Sequence, residues 1–276
     1  MPFGTLYIVA TPIGNLEDIT FRAVRILKEV SLIAAEDTRH TQKLLTHFDI
    51  HNQLTSYHDH NKETKSEVLV ARLKEGGSVA LVSDAGTPGI SDPGYYLINR
   101  AIEEGVEVVP IPGVAAAVAA LSVSGLPTDS FVFEGFLPSK KSQRIKKLDT
   151  LKDEPRTLIF YEAPHRISEM LSDMAAVFGD RRAVLSRELT KIHEEHLRGS
   201  LHDIIKILEE RPARGEITLV VEGVSKKPSE LFVISIEDHV DKVVRETGVS
   251  KKDAIAEVAR LRGVPKKSVY DEVMKK

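Results

Sequence analysis

The stretch ALVSDAGTPGISDPG, residues 80–94, opens as a buried strand and then runs into a dense set of turn formers. A plain strand-to-helix connection needs only a few residues and one turn former. Here Gly86, Gly89, Gly94, Pro88 and Pro93 hold a longer path to one particular route, with Asp84 and Asp92 along it. Asp84 sits directly at the strand end and reads as functional. SDPG reads as a helix start, with Asp92 as its cap or turn residue.

Working outward, short apolar runs rich in β-branched residues alternate with helical patterns. TLYIVAT (5–11), SLIAAE (31–36), the weaker QLTSYH (53–58), SVALVSD (78–84) and VEVVPIP (106–112) read as strands. Helices are expected at about 19–29, near 40–47 and over KETKSEVLVARLKEG, with helical segments after the last two strands. Such alternation argues for a parallel sheet with helices on both faces, and so for an α/β fold. SGLPTD (124–129) breaks the pattern and serves as a linker, which bounds a first α/β domain at 1–124. A second α/β domain, 129–225, has strands at about 130–136, 156–162, 182–188 and 216–223, and helices at about 140–151, 164–178 and 199–210. Its sheet need not be purely parallel. Residues 226–276 are lysine-rich with little strand signal, and read as three short helices separated at TGVS and GVPKK. That is a helix-turn-helix-like layout, with a small solvated helical tail as the plain alternative.

A chain of 276 residues has room for two domains with cores of their own. It contains no cysteine, which excludes disulfides, thiolate catalysis and cysteine-ligated metals. No apolar run approaches the roughly 20 residues of a membrane span. The N-terminus enters a strand without a charged and then apolar leader, so a cytoplasmic protein is the simplest reading. A net charge of −3 exerts no global pull on nucleic acid, so any such partner must be held by local patches.

In open parallel sheets the site lies beyond the carboxyl ends of the strands. Those ends carry ATPIGNLEDIT (10–20), AEDTRH (35–40), SDAGTPGISDPG (83–94) and PIPGVAAAVAA (110–120). PGVAAAVAA offers free backbone N–H groups at a helix start with only small side chains over them, although tight helix packing would also use small residues. The glycine loop holds no lysine or arginine and does not match a phosphate loop, and strand one lacks G-x-G-x-x-G. Aspartates without a basic residue suit a ligand carrying positive charge or hydroxyls. In the second block, FYEAPHRI sets Glu162, His165 and Arg166 at a strand end, and SRELTKIHEEHLRG crowds Arg187, Glu188 and Lys191 after another. Crowded acids and bases shift one another's pKa, although a surface ion-pair network is the commoner reason for such mixing. The scattered histidines lack metal-ligand spacing, and no metal site is expected.

Together, VATPIGNLEDITFRA, AEDTR, SDAGTPGISDPG, PGVAAAVAALSVSGLP, FYEAPHR, RELTK and GEITLVVEG, in order from about residue 5 to 223, resemble the ribosomal RNA small-subunit methyltransferase I family. Its members are S-adenosylmethionine-dependent cytidine 2′-O-methyltransferases within the tetrapyrrole-methylase superfamily, the class III methyltransferases. The resemblance implies two α/β domains with the cofactor in the cleft between them, a homodimer, and 16S ribosomal RNA or the assembled small subunit as substrate. Carried over by position, S-adenosylmethionine would touch Thr11, Pro12 and Ile13; Asp84, Gly86, Thr87 and Pro88; Ala115 and Ala116; and Glu162 and Leu189. Porphyrin-precursor methylases carry a G-x-G-P-G-D loop after strand one. Here that stretch is ATPIGNLED, which speaks against a tetrapyrrole acceptor.

A ribose hydroxyl needs its proton removed to act as a nucleophile. The expected catalytic group is Lys191, if burial depresses its pKa, with Glu188 and Arg187; Glu36 is a further carboxylate candidate, and Asp37 and Arg39 would orient the acceptor. RNA would be gripped by Lys140, Lys141 and Arg144, by His165 and Arg166, and by Lys251, Lys252, Lys266 and Lys267 in the tail. A lysine run is most often only a solvated face. Two rival readings remain: a methyltransferase acting on a tetrapyrrole or other small molecule, and a ribosome-assembly RNA-binding protein without catalysis.

Overall fold

Five apolar runs become strands β1 (Leu6–Val9), β2 (Leu32–Ala35), β3 (Leu54–Ser56), β4 (Val79–Val82) and β5 (Val108–Ile111). They form one parallel sheet in the order β3-β2-β4-β1-β5. All four residues of β4 are buried, as a central strand covered on both faces requires. The crossovers are α1 (Phe21–Glu29), α2 (Thr38–His47), α3 (Lys62–Lys74) and α4 (Gly94–Glu103). Thr20 and Asp37 start α1 and α2 by accepting the Ala23 and Arg39 N–H groups, so two orphan donors are satisfied by side chains. One face of the sheet buries Leu69, Leu73 and Leu97 from α3 and α4; the other buries Ile26, Leu27 and Leu45 from α1 and α2.

The next helix, α5 (Ala116–Ser122), serves a different sheet. Its Ala117, Ala120 and Leu121 pack with Ile159, Val184 and Val220, which belong to the second half of the chain. That second sheet contains β6 (Phe131–Phe136), β7 (Thr157–Glu162), β8 (Arg182–Arg187), β9 (Glu195–Ser200) and β10 (Ile217–Val221), in the order β6-β7-β10-β8-β9. It is mixed: β6 and β7 run parallel, and the other pairings are antiparallel. Its far face is covered by α6 (Lys141–Leu151), α7 (Ile167–Phe178) and α8 (Leu201–Glu210). The sequence reading has no counterpart for β9. EHLRGS is too polar to read as a strand, but an edge strand needs only one protected face, and charges blunt its open edge.

The computed structural model describes residues 2–224, 234–262 and 264–274, and the chain divides into two compact units, 1–224 and 225–276. The smaller unit contains α9 (Ile236–Thr247), α10 (Lys251–Arg262) and α11 (Lys266–Val273) around Val240, Ile255, Val258 and Val269. Gly248 ends α9 in the left-handed conformation, and Ser235 caps its start. Residues 226–233 of the expected tail, and the Gly263 helix stop, lie outside the described residues. Among the described residues no helix is long and apolar enough to cross a membrane.

Candidate active site

A cavity of about 450 Å³ opens at the carboxyl ends of the first sheet and faces the second. From the first sheet come Ile13 after β1, Glu36 after β2, Ser83 to Thr87 after β4, and Ala115 and Ala116 at the start of α5. Opposite them stand Tyr161 to Pro164 at the end of β7, Leu189 after β8, and Gly215 to Thr218 entering β10. Because β10 runs antiparallel to β7 and β8, its amino end meets their carboxyl ends. The volume falls within the range of ligand pockets, roughly 300–1,000 Å³.

The lining carries carboxylates (Glu36, Asp84, Asp92, Glu162 and Glu216) and, among the described residues, neither lysine nor arginine. Burial, followed by the charges of Asp84 and Asp92, raises the Glu36 pKa above its ordinary value. Burial likewise raises Asp92, whose Oδ1 accepts the Gly89 and Gly94 N–H groups at 2.8 and 2.7 Å. Asp92 is thus both the turn residue before α4 and part of the cavity wall. Asp84 Oδ1 accepts the Asp37 N–H at 2.9 Å, tying the β4 end to the start of α2. Glu162 has a fully buried side chain. Its Oε1 accepts the Ala163 N–H, while Oε2 has no hydrogen-bond partner and lies 3.3 Å from the Arg166 guanidinium without hydrogen-bond alignment. The start of α5 has no side-chain cap, and Ala115 and Ala116 there line the cavity. The Ala117 N–H donates to the part-buried Tyr161 hydroxyl at 3.1 Å.

A second cluster bridges the two sheets at the rim. Lys191 Nζ donates to Glu188 Oε1 at 2.9 Å and to Glu216 Oε2 at 3.2 Å, and Glu188 Oε1 also accepts the Glu216 N–H. Asn15 N–H donates to the Thr190 hydroxyl at 3.1 Å. A Cβ on Gly14 would lie 2.4 Å from Lys191 Cγ, so only glycine lets the lysine stem lie across this loop. Gly215 has φ +77° and a Cβ there would strike the Glu188 carboxylate. Glu188 and Thr190 themselves hold positive φ (51° and 66°), strained backbone of the kind found at functional sites. Burial pulls the Lys191 pKa down, but the Glu188 and Glu216 carboxylates outweigh it and leave the ammonium above its ordinary value. Its hydrogen bond to Lys191 lowers Glu188.

Of the expected cofactor residues, Ile13, Asp84, Gly86, Thr87, Ala115, Ala116, Glu162 and Leu189 line the one cavity. Thr11, Pro12 and Pro88 are buried and do not line it. Thr11 forms a β-bridge with Gly86 and donates its hydroxyl to the Ser83 carbonyl, so it shapes the β4 loop. Among the expected catalytic residues Glu36 lines the cavity, whereas Asp37 and Arg39 pair with each other outside it. The Arg39 guanidinium and N–H hold the Asp37 carboxyl down at about 2. The condition set for Lys191 as a base, a pKa depressed by burial, is not met: its two carboxylate partners hold the pKa above the ordinary value. Arg187 points elsewhere: it pairs with Glu195 at 2.6 Å and lines a separate depression.

Two of the expected RNA contacts are also corrected. Arg144 is 1% exposed, with Nε donating to Asp173 at 2.7 Å and Nη1 to the Ser139 carbonyl at 3.0 Å, so it holds α6 to α7. Arg166 is engaged by Glu162 and by the Leu137 carbonyl at 2.8 Å. Lys140, Lys141, His165, Lys251, Lys252, Lys266 and Lys267 are exposed. Sequence reasoning missed Ser83, Tyr161, Ala163, Pro164 and Gly215 to Thr218. For the last group, the signal was the glycine and acid of GEIT just before an apolar strand. Among the described residues, no group of three histidines or acids is placed to hold a metal.

The chain's residues 5–205 match the family model of the tetrapyrrole (corrin/porphyrin) methylases. It is 54% identical over 256 residues to the ribosomal RNA small subunit methyltransferase I of Halalkalibacterium halodurans, covering 91% of this chain and 88% of that one. To the protein of the same name from Bacillus subtilis it is 46% identical over 273 residues, covering 97% and 93%. Among solved structures, diphthine synthase superposes with a TM-score of 0.61 at 17% identity, covering 79% of this chain and 90% of that one. A Thermus thermophilus uroporphyrin-III C-methyltransferase complexed with S-adenosylhomocysteine gives 0.57 at 18%, covering 79% and 97%. At those identities the likeness is one of fold.

Proposed function

Because the chain belongs to the ribosomal RNA small subunit methyltransferase I family of the tetrapyrrole methylases, we propose that its cavity binds S-adenosylmethionine and presents it to the 2′-hydroxyl of a cytidine in 16S rRNA. The activity of this chain is methylation of small-subunit ribosomal RNA. The observation that carries the cofactor reading is a ligand-sized cavity walled by carboxylates without a cationic side chain, set against an uncapped helix start. Glu162 Oε2, buried and lacking a hydrogen-bond partner, fits a donor such as an amine or a ribose hydroxyl. The related uroporphyrin-III enzyme was solved with the demethylated cofactor, which favours the same ligand here.

When bound, S-adenosylmethionine supplies an electrophilic methyl group on a cationic sulfonium. Asp84 and Glu36 lower the energy of positive charge at the β2 and β4 ends, and the small side chains at 115 and 116 let the α5 N–H groups reach a ligand. Residues of both sheets line the cavity and would hold the reacting atoms in place, and such positioning supplies much of the rate of an in-line displacement. Glu36 is the group suited to accept the ribose proton, since a base works best with a pKa raised toward the operating pH. Lys191 is held as an ammonium and Glu188 as a strongly ionised carboxylate, so neither fits that role. Both serve instead to lock the 187–191 turn against Gly14 and Asn15. The exposed lysines at 140, 141, 251, 252, 266 and 267 would meet RNA phosphates. In the same reading the enzyme works as a homodimer in the cytoplasm; the near-complete exposure of Phe21 and Ile192 leaves apolar surface available to a second copy.

The test uses methyl-labelled S-adenosylmethionine with unmodified small subunits, their extracted rRNA, and uroporphyrinogen III as separate acceptors. Label in rRNA supports the proposal; label confined to the tetrapyrrole overturns it. Binding of rRNA without transfer would instead favour a non-catalytic assembly protein.

A further inference from the structure

We infer that the depression bounded by Arg187, Arg211 and Arg214 is an RNA subsite, which grips a nucleotide of the strand that carries the methyl acceptor. This deepens the rRNA reading above and rests on it. The depression has a volume of about 340 Å³. Leu197, Leu208, Pro212 and Ala213 give it an apolar lining, and its rim sets three guanidiniums against the carboxylates of Glu195 and Glu210. The chain joins it directly to the candidate active site. Arg187 lines the depression and Leu189, two residues on, lines the active-site cavity. Arg214 lines the depression and Gly215, the next residue, lines the cavity. The depression therefore opens beside the cavity, on the α8 side of the second sheet, where Leu197 and Leu208 join the core that α8 covers.

The electrostatics suit a phosphate. Glu195 bonds Arg187 at 2.6 Å and also pairs with Arg211, which fixes both guanidiniums at the rim; with Glu210 counted, the three guanidiniums leave one net positive charge. Arg214 is exposed and has no carboxylate partner among the described residues. A planar guanidinium binds phosphate in a bidentate fashion, which a lysine cannot reproduce. An apolar lining under a guanidinium rim matches a nucleotide laid with its sugar and base inward and its phosphate outward. RNA held there would help to position the strand whose methyl acceptor enters the cavity.

The test is binding of a fluorescent single-stranded, cytidine-containing oligoribonucleotide to the full-length protein at several salt concentrations, with S-adenosylmethionine calorimetry and rRNA methylation run in parallel. Arg214→Ala is expected to weaken RNA binding about tenfold and to reduce the slope of log affinity against log salt by about 0.7. Arg214→Lys recovers only part of the affinity, and cofactor affinity and melting temperature stay at wild-type values. RNA affinity and salt slope unchanged in Arg214→Ala and in Arg211→Ala alike would overturn the subsite, as would failure of the wild type to bind the oligonucleotide. A wild type that shows the Arg214-dependent binding yet methylates no rRNA would overturn the activity reading and leave the subsite standing.

Discussion

Replacing Arg144 by methionine separates a structural arginine from an RNA-binding one. In the folded protein its guanidinium is bonded to Asp173, to the Ser139 carbonyl and, at 3.3 Å, to Glu169. Asp173 is itself 8% exposed, and its remaining partner, Lys141, stands 3.6 Å away on the surface. Methionine fills the aliphatic path of the lost side chain, so the main cost is the carboxylate left behind. Breaking a buried pair in this way costs about 3–5 kcal/mol, and Lys141 places the effect near the lower end, about 3 kcal/mol. The Ser139 carbonyl adds about 1 kcal/mol by losing its donor. At roughly 2–4 °C per kcal/mol for a chain of this size, the melting temperature should fall by about 8–16 °C. Thermal unfolding of the full-length variant measures this, with RNA affinity determined well below the melt. Asp173→Leu on top of Arg144→Met should recover most of the loss, because the buried charge is then gone. A melting temperature within about 2 °C of wild type, with RNA affinity sharply reduced, would refute the reasoning and restore Arg144 to the RNA surface.

Gly215→Ala forces a left-handed residue to carry a Cβ, at about 1–2 kcal/mol, and drives the Glu188 carboxylate from its bonds to Lys191 and the Glu216 N–H; thermal unfolding should register a loss of about 3 kcal/mol in all. Lys191→Met should lower kcat at least tenfold while leaving S-adenosylmethionine affinity within a few-fold, since the lysine locks the rim and does not line the cavity; unchanged turnover would contradict this. Cofactor affinity should fall as pH drops through the raised Glu36 range, because a cationic ligand favours the carboxylate that protonation removes; calorimetry on Glu36→Gln should give a flatter profile. The ligand-free protein has the opposite dependence. Its Glu36 binds a proton more tightly than the unfolded chain does, so its contribution to stability declines as pH rises from the ordinary glutamate value through the raised one.

The residues that could be read from sequence are those whose neighbours along the chain decide their place. The apolar run of β4 and the turn formers of 83–94 lie at a strand's carboxyl end, where ligand loops of a parallel sheet gather. The Asp84, Gly86, Ala115 and Glu162 placements follow from that rule. It fails at Gly215 to Thr218, which enter the site from the amino end of β10; only the antiparallel pairing with β7 and β8 turns that end toward the cavity. Arg144 was misread among lysines although a signal was present: with Leu148 and Leu151 it forms a helical stripe, and all three are buried. The protonation state of Lys191 rests on Glu188, three residues before it, and on Glu216, far along the chain; the first pairing is legible in RELTK, the second in no local pattern.

Digestion of the labelled product to nucleosides, followed by mass spectrometry, reads whether the methyl group has gone to a ribose hydroxyl of small-subunit RNA. The wild-type enzyme should place label in 2′-O-methylcytidine of 16S rRNA, and Glu36→Gln should lose it even at S-adenosylmethionine concentrations that restore full cofactor occupancy. Label on a base carbon or nitrogen, or undiminished 2′-O-methylcytidine from Glu36→Gln, would contradict the proposed reaction.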